Sequence, residues 1–171
     1  EDAAKALLDY YRARTNVKSP DIDLQNLKIS KQEQKWADDG LEHTFFVHKG
    51  YQPSYNYGKD INWQYWPVKD NELRWQLHRH KWFTPMGKAY RISGDEKYAK
   101  EWAFQYIDWI KKNPLTKMEK EHYELVSAGE VKGNAENVRF AWRPLEVSNR
   151  LQDQTSQFLL FLPSSSFTPD F

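Results

Sequence analysis

The sequence predicts an all-α fold, and the stretch from Asn71 to Pro114 supports this most strongly. In its second half, aromatic residues recur at steps of four, four and three, which places them on one helical face: Tyr98, Trp102, Tyr106 and Trp109. In its first half, an apolar set recurs at steps of seven, four and three: Trp75, Trp82, Met86 and Ala89. Between the halves, Gly94 can end a helix in the left-handed conformation and Asp95 can cap the next one. We therefore expect two amphipathic helices joined by a tight turn.

Two shorter helices are predicted before this hairpin. Residues 1–14 carry apolar residues at helical steps, which predicts one buried face: Ala3, Ala6, Leu7, Tyr10 and Tyr11. Residues 15–30 form a connector that ends at Ser30, and Glu33 follows three positions later. This arrangement is a capping box and predicts a short helix from about Lys31 to Asp38.

A long aromatic loop is predicted from Asp39 to Asp70, because glycines and prolines interrupt any regular pattern there. Loops of this length in compact domains are usually functional or disordered. We expect an ordered loop over the helices, since disorder would expose its many aromatic rings to water. The segment from His43 to His48 could form a short extended piece.

The remainder of the chain is predicted to contain a connector and one long helix. Residues 111–134 are rich in charge, so we expect an exposed connector that includes the acidic side chain of Glu119. A helix follows from about Ala135 to Leu162, with Pro144 bending it or marking a first turn. Thr168-Pro169-Asp170 has the composition of a helix start. From this we expect the chain to be the N-terminal part of a longer helical protein.

Composition narrows the possible functions. The 171 residues fit one domain and include 8 Trp, 10 Tyr and 9 Phe, which suits either wide aromatic packing or stacking on flat ligands. The formal net charge of +1 provides no overall field for nucleic acid or membrane, and neither is a predicted partner. Because cysteine is absent, disulfides, thiolate zinc sites and cysteine nucleophiles are excluded. Neither a signal peptide nor an apolar run of membrane-spanning length is present in the sequence, which suggests a processed or trimmed start.

Several motifs taken together resemble the heparinase II/III family of polysaccharide lyases. In chain order these are Ile61-Asn62-Trp63 with Trp66-Pro67, the segment from Glu72 to His80, Ala89-Tyr90, the turn from Gly94 to Ala99, Trp109, and the block from Ala141 to Val147 with Arg150. The resemblance covers roughly residues 61–171 together with the first helix. The glycine turn occurs in many helical proteins, whereas the 142–146 block combined with Asn62-Trp63 is more specific.

The resemblance implies that residues 1–171 are the N-terminal portion of an incomplete (α/α) toroid, followed by further helices and a β-sheet domain. It implies a periplasmic, monomeric enzyme, with its signal peptide removed, that cleaves heparan sulfate-type glycosaminoglycan by β-elimination. Such a reaction needs a group that neutralises the uronate carboxylate, a base and an acid. The family carries these groups beyond Phe171, so we assign no catalytic residue here. The implied partner is an acidic polysaccharide substrate.

Five residues are predicted to contact that substrate: Asn62, Trp63, Trp142, Arg143 and Arg150. A tryptophan ring can stack on a sugar while its indole N–H donates a hydrogen bond, and the planar guanidinium of arginine matches a sulfate or carboxylate. Structural alternatives remain for most of them. Trp63 could fill the core, Asn62 could cap a turn, and Arg143 could pair with Glu146 three positions later. Arg150 could extend the same ionic ladder.

The histidines and the basic run offer weaker signals. His78, Arg79, His80 and Lys81 follow Arg74 and could meet a sulfated chain. However, positions i and i+2 of a helix do not face each other, so we expect mainly a solvated face with Arg79 partly covered. The remaining histidines, His43, His48 and His122, lack partners at metal-ligand spacing. No metal site and no cofactor are predicted.

Two functions from other classes stay open on the sequence alone. The hairpin loosely fits a helical-repeat interaction module of the tetratricopeptide type, which would require similar units in series. Only one good copy is present in the sequence, and the long aromatic loop does not belong in such an array. A noncatalytic carbohydrate-binding domain would share the aromatic loop, but it would usually be a β-sandwich, which the helical pattern opposes.

Overall fold

The computed structural model describes residues 2–171, which form a mostly helical domain. Its elements, in chain order, are α1 (Asp2–Ala13), α2 (Lys31–Leu41), β1 (Thr44–Phe45), β2 (Tyr55–Asn56), α3 (Asn71–Leu77), α4 (Phe83–Ser93), α5 (Glu96–Lys112), α6 (Lys117–Glu121), α7 (Tyr123–Ala128), a π-helical segment (Asn137–Ala141) and α8 (Pro144–Phe161). The predicted predominance of helix is confirmed. None of the helices within residues 2–171 combines the length and apolar character needed to cross a membrane.

Helix α4 lies at the centre of the core and packs against α2, α5 and α8. Its close approach to α8 depends on Gly87, where an added Cβ would lie 2.8 Å from Leu160 Cβ. The predicted aromatic face of α5 is confirmed: Tyr98, Trp102 and Trp109 are buried. Because apolar faces of all these helices meet at α4, burial of their side chains supplies most of the driving force for folding.

The turn between α4 and α5 has the predicted caps. Gly94 has φ of 72°, the left-handed region that glycine enters without a steric penalty, and its N–H donates to the carbonyl of Tyr90. Asp95 then accepts a hydrogen bond from the N–H of Lys97 and starts α5. The capping box at the start of α2 is also confirmed, with both hydrogen bonds between Ser30 and Glu33 present.

The first half of the hairpin is not the single helix that the apolar pattern predicts. Helix α3 ends at Leu77, and the chain turns through residues 78–82 before α4 begins. His80 in this turn has φ of 56°. Pro85 explains why the helix has to restart, because proline lacks an N–H and clashes with the carbonyl four residues earlier inside a helix. In the structure Pro85 falls within the first turn of α4, where it is tolerated.

The long aromatic loop is ordered, as predicted, and it covers one side of the helical core. Strand β1 pairs antiparallel with β2, with Thr44 opposite Asn56 and Phe45 opposite Tyr55. Phe45, Tyr57 and Trp63 are at most 3% exposed, so the loop contributes to the core. The predicted extended piece within 43–48 corresponds to β1, whereas its pairing with a second strand was not predicted.

Three boundary or burial predictions are wrong. On α1 the buried residue is Leu8, while Leu7 and Tyr10 are more than half exposed, because α1 contacts the core along a narrower line than its apolar residues span. The connector after α5 contains α6 and α7 and buries Glu119, whose carboxylate caps α6 and accepts from the N–H of Asn134 at 2.6 Å. The long last helix is divided into the π-helical segment and α8, so its predicted continuity from about Ala135 is wrong, whereas Pro144 marks a first turn, which is one of its two predicted roles. The predicted helix start at Thr168 stays a prediction.

Candidate functional site

A buried carboxylate with two arginine partners organises the start of α8. Glu146 lies in the first turn of α8, where its negative charge is favourable at the positive end of the helix, and it is fully buried. Its Oε1 accepts a hydrogen bond from Nη2 of Arg79 at 2.8 Å. Its Oε2 lies 2.8 Å from Nε of Arg143. The ion pair between Arg143 and Glu146, one of the two alternatives from the sequence, is therefore present.

Arg143 is held on its other side by an aromatic ring. Its guanidinium carbon lies 3.9 Å from the ring centroid of Trp75, and the Trp75 indole N–H donates to the carbonyl of Arg139 at 3.0 Å. About 30% of the Arg143 side chain stays exposed. Within residues 2–171, its two terminal nitrogens Nη1 and Nη2 make neither a hydrogen bond nor an ion pair. Arg143 is thus fixed in position while keeping donors that can bind an oxyanion.

Arg143 belongs to a longer set of contacts that we call the arginine–aromatic row, formed by Trp66, Arg74, Phe140, Trp75 and Arg143. The guanidinium carbon of Arg74 lies 3.7 Å from the ring centroid of Phe140 and 5.3 Å from that of Trp66. Phe140 in turn contacts Trp75. Arg74 is also paired with Glu136 and Gln64. At one end of the row Trp66 is 43% exposed, and at the other end about 30% of the Arg143 side chain is exposed.

Arg150 has a structural role in this chain. Its side chain is buried, and Nη1 donates to the carbonyls of His78 at 2.9 Å and Ala141 at 2.5 Å. Trp109 and Trp142 lie beside the guanidinium. Burial lowers the pKa of Arg150 to about 10. The predicted ladder through Glu146 is wrong for Arg150, because its hydrogen bonds go to backbone carbonyls instead of a carboxylate.

The other three predicted residues differ in their access to solvent. Trp63 is 3% exposed, donates from Nε1 to Asp108 at 2.8 Å and stacks on Phe45, so its ring fills the core. Asn62 is exposed, and its Oδ1 accepts from the N–H of Gln64, which caps a turn as the structural alternative predicts. Trp142 is half-buried and donates from Nε1 to the carbonyl of Asn113.

Only part of the predicted set is therefore accessible in this structure. Arg143 and Asn62 present polar groups to solvent, whereas Trp63 and Arg150 are covered by the chain itself. Contact of any of the five residues with substrate stays a prediction. Sequence reasoning did not identify Arg74 and Trp75 as members of the arginine–aromatic row. The adjacent positions of Arg74 and Trp75 in α3 were visible in the sequence, but their contacts with Phe140 depend on the fold.

The basic run is not the solvated face that the helical pattern predicts. His78 and His80 are both buried, because α3 ends before them and the turn directs them into the core. Nδ1 of His78 accepts from the indole N–H of Trp109 at 3.0 Å, and burial next to Arg150 lowers the His78 pKa to about 3. The pKa of His80 is also far below its ordinary value, for the same reason. Arg79 is partly covered, as predicted.

His43 lies next to a carboxylate, and its pKa is raised where those of His78 and His80 are lowered. Its Nε2 lies 2.9 Å from a carboxylate oxygen of Glu101, and its Nδ1 lies 2.7 Å from the carbonyl oxygen of Gly58. The hydrogen bond to Glu101 raises the pKa of His43. In the part of the chain that the structure describes, no group of three histidine, aspartate or glutamate side chains is arranged to hold a metal ion.

Known proteins resemble the chain over its whole length. A family model described as "Heparinase II/III N-terminus" matches residues 1–171. A heparin-sulfate lyase of Bacteroides stercoris is 77% identical over 99% of this chain and 26% of its own length. A heparin-sulfate lyase of Pedobacter heparinus is 47% identical over 100% of this chain and 24% of its own length. The chain thus spans about a quarter of the curated relatives that it matches.

Solved structures give the same result. A heparinase III with methylated lysines has 85% identity and a TM-score of 0.86, over 99% of this chain and 26% of that one. The heparan sulfate lyase of Pedobacter heparinus has 47% identity and a TM-score of 0.82, over 99% of this chain and 25% of that one. Sequence and backbone therefore agree over nearly every residue described above. The chain belongs to the heparinase II/III family and corresponds to its N-terminal region.

Proposed function

We propose that this chain is the N-terminal helical part of an enzyme that cleaves heparan sulfate-type glycosaminoglycan by β-elimination. The relatives that support this proposal are called heparin-sulfate lyases, and each is about four times as long as the matched region. The proton-transfer groups are expected outside residues 1–171. Within these residues we expect a scaffold and one or more side chains that position the substrate. The family match favours this proposal over the helical-repeat and carbohydrate-binding alternatives.

The observation that carries the local part of the proposal is the arrangement of Arg143. Its Nε lies 2.8 Å from Oε2 of Glu146 and its guanidinium carbon lies 3.9 Å from the ring centroid of Trp75, while Nη1 and Nη2 make neither a hydrogen bond nor an ion pair within residues 2–171. A guanidinium fixed in this way loses little conformational entropy when it binds a carboxylate or sulfate with two parallel hydrogen bonds. Arg143 is therefore proposed to hold an acidic group of the polysaccharide, and it is not proposed to transfer a proton.

The wider assembly is also part of the proposal. The mostly helical fold and its similarity to heparinase III structures support an (α/α) toroid of which these helices form the beginning. We propose a periplasmic location and a monomeric state. Cell fractionation and size-exclusion chromatography with light scattering of the full-length protein would test them, and a cytosolic or dimeric protein would contradict the corresponding statement.

The function is tested first by comparing two lengths of the protein. Heparan sulfate added to residues 1–171 alone is expected to produce no absorbance from unsaturated uronate, because the chain lacks the groups that transfer the proton. The full-length protein is expected to produce it under the same conditions. Turnover by residues 1–171 alone would refute the assignment of chemistry to the rest of the enzyme. Inactivity of the full-length protein would refute the lyase proposal itself.

The role of Arg143 is tested in the full-length enzyme with Arg143→Ala and Arg143→Lys. Loss of a charge-assisted bidentate contact is expected to raise KM or lower kcat/KM by about tenfold or more for alanine, with only partial rescue by lysine. Arg139→Ala is the matched control, because Arg139 is an exposed arginine of the neighbouring π-helical segment whose Nε bonds only the carbonyl of Ser127. If Arg143→Ala changes the melting temperature and leaves the kinetics like those of the control, Arg143 only pairs with Glu146.

A further inference from the structure

A second basic region lies away from the arginine–aromatic row, in an open cleft beside α1. The cleft has a volume of about 490 Å³ and is bordered by the last residues of α1, the connector that follows it, and the ends of α4 and α8. Three arginines line it: Arg12, Arg14 and Arg91. This volume lies in the range of small-molecule sites. It is much larger than the volume of a single oxyanion. We call it the α1 cleft.

The three arginines are not equally engaged. Arg12 is fixed by backbone carbonyls: Nε donates to Leu162 at 2.9 Å, and Nη2 donates to Ser164 at 2.7 Å and Phe167 at 2.8 Å. The guanidinium groups of Arg14 and Arg91 make no hydrogen bond or ion pair with any residue from 2 to 171. The guanidinium carbon of Arg14 lies 5.7 Å from the ring centroid of Tyr10. Two positive charges thus border the cleft without counter-charges.

No acidic side chain of the described chain lines this cleft. The carboxylate of Glu96, close to the same end of α8, accepts hydrogen bonds from Ser164, Ser165 and Ser166. The Glu96 carboxylate is therefore engaged by hydrogen bonds from the turn after α8. Because unpaired positive charges on one cleft are unfavourable without a counter-ion, Arg14 and Arg91 favour binding of an anion in the cleft.

The rest of the lining shows what kind of anion fits. Leu24, Leu159 and Leu162 provide an apolar wall, and Tyr11 adds an aromatic ring. Thr15 and Gln25 line the cleft as well and carry side chains that can donate and accept hydrogen bonds. A simple inorganic ion would use only the arginines. A sugar ring offers an apolar C–H face and several hydroxyl groups, so it would also use the wall and the polar side chains.

We propose that the α1 cleft binds an acidic sugar unit, with a sulfate or carboxylate group held by Arg14 and Arg91. The choice of a sugar rests on the proposed function, whereas the requirement for an anion follows from the unpaired arginines. Arg12 keeps the cleft in shape through its three carbonyl contacts. Because association of this kind is strongly electrostatic, its affinity is expected to fall as salt concentration rises.

The test uses the full-length protein and a sulfated disaccharide that it does not cleave further. Isothermal titration is expected to show that binding at the cleft is weakened at least about tenfold in the double variant Arg14→Gln, Arg91→Gln, which removes charge and keeps side-chain length. Lys120→Gln is the matched control, because Lys120 is an exposed cation on α6. A crystal of the full-length protein soaked with the disaccharide is expected to show the sugar in the α1 cleft.

The outcomes distinguish the two proposals. Equal affinity for wild type and the double variant, or a soaked crystal in which another segment of the polypeptide fills the cleft, overturns the cleft proposal alone. Inorganic sulfate that binds as tightly as the disaccharide overturns the sugar part and leaves a simple anion site. A neutral disaccharide, without sulfate or carboxylate groups, that binds as well as the sulfated one overturns the role of the arginines. Inactivity of the full-length protein as a lyase overturns the proposed function alone.

Discussion

Replacement of Glu146 by glutamine is expected to lower the free energy of unfolding by about 3 kcal/mol, which is at the low end of the 3–5 kcal/mol for removing one member of a buried pair. The change removes a negative charge and keeps the size of the side chain. Glu146 is fully buried, and Arg79, whose side chain is only 13% exposed, then loses the negative charge that lies 2.8 Å from its Nη2. We expect the low end of this range because Arg79 still has an ion pair with Glu72 at 3.6 Å and the Arg143 side chain is partly exposed to water.

The assay is denaturant unfolding of residues 1–171 followed by tryptophan fluorescence. Arg143→Ala is expected to cost only about 1 kcal/mol, because a partly exposed ion pair and a cation–π contact each contribute less than a buried pair. Glu121→Gln is the surface control, since Glu121 is exposed and lies 3.7 Å from Lys117. A loss for Glu146→Gln that equals the control would refute the view that this carboxylate balances two guanidinium groups.

Other predictions concern protons and packing. Below pH 6.5 the unfolded chain protonates His78 while the folded chain, with a pKa of about 3, does not, so this residue is expected to lower stability by about 1.4 kcal/mol per pH unit. His80, whose pKa is also lowered, adds its own loss, so His78→Gln should reduce the slope in a pH series of urea titrations without removing it. His43, whose pKa is raised by Glu101, contributes stability below pH 6.5 that is lost as pH rises through its folded pKa, and His43→Gln should remove that alkaline decline. Gly87→Ala is expected to lower the unfolding free energy by about 1–3 kcal/mol because its Cβ would meet Leu160, and an unchanged melting curve would contradict this packing.

The parts of the fold that were predicted correctly depend on interactions between residues close in the chain. The aromatic face of α5, the left-handed Gly94, the Asp95 cap and the capping box of α2 each involve residues within a few positions of one another. Such features follow from helical geometry and hydrogen-bonding chemistry alone. The same holds for the ion pair between Arg143 and Glu146, which are separated by a single turn.

The errors depend on contacts between residues far apart in the chain. Periodicity continued the first helix past Leu77, although Pro85 was a visible signal that the helix had to restart. Once the chain turns there, the carbonyl of His78 becomes available to Arg150, which lies 72 residues later. No spacing rule connects two such positions. The burial of Trp63 likewise depends on Phe45 and Asp108, which the fold brings to it from either side.

The prediction of substrate-binding residues failed for a different reason than the prediction of the fold. Residue type correctly indicated which side chains have suitable donors or rings, but it could not indicate which of those groups the chain itself occupies. Arg143 and Arg150 are seven positions apart and chemically identical. One keeps free donors, while the other gives hydrogen bonds to two backbone carbonyls. The distinction arises from the irregular backbone after α3 and before α8, because the carbonyls of His78 and Ala141 remain available there for a side-chain donor.

Arg12 has a consequence for the order in which this chain folds. Its three carbonyl contacts span 150 to 155 residues, so each of them closes a very long loop whose entropy is lost before any contact forms. Apart from these hydrogen bonds, helix α1 buries only Leu8 and contributes an edge contact between the rings of Tyr11 and Phe158. We therefore expect α1 to dock late, after α8 has packed on α4. In the native protein, the amides of α1 and of the turn at 162–167 should exchange with solvent as one unit, well before those of the central helices.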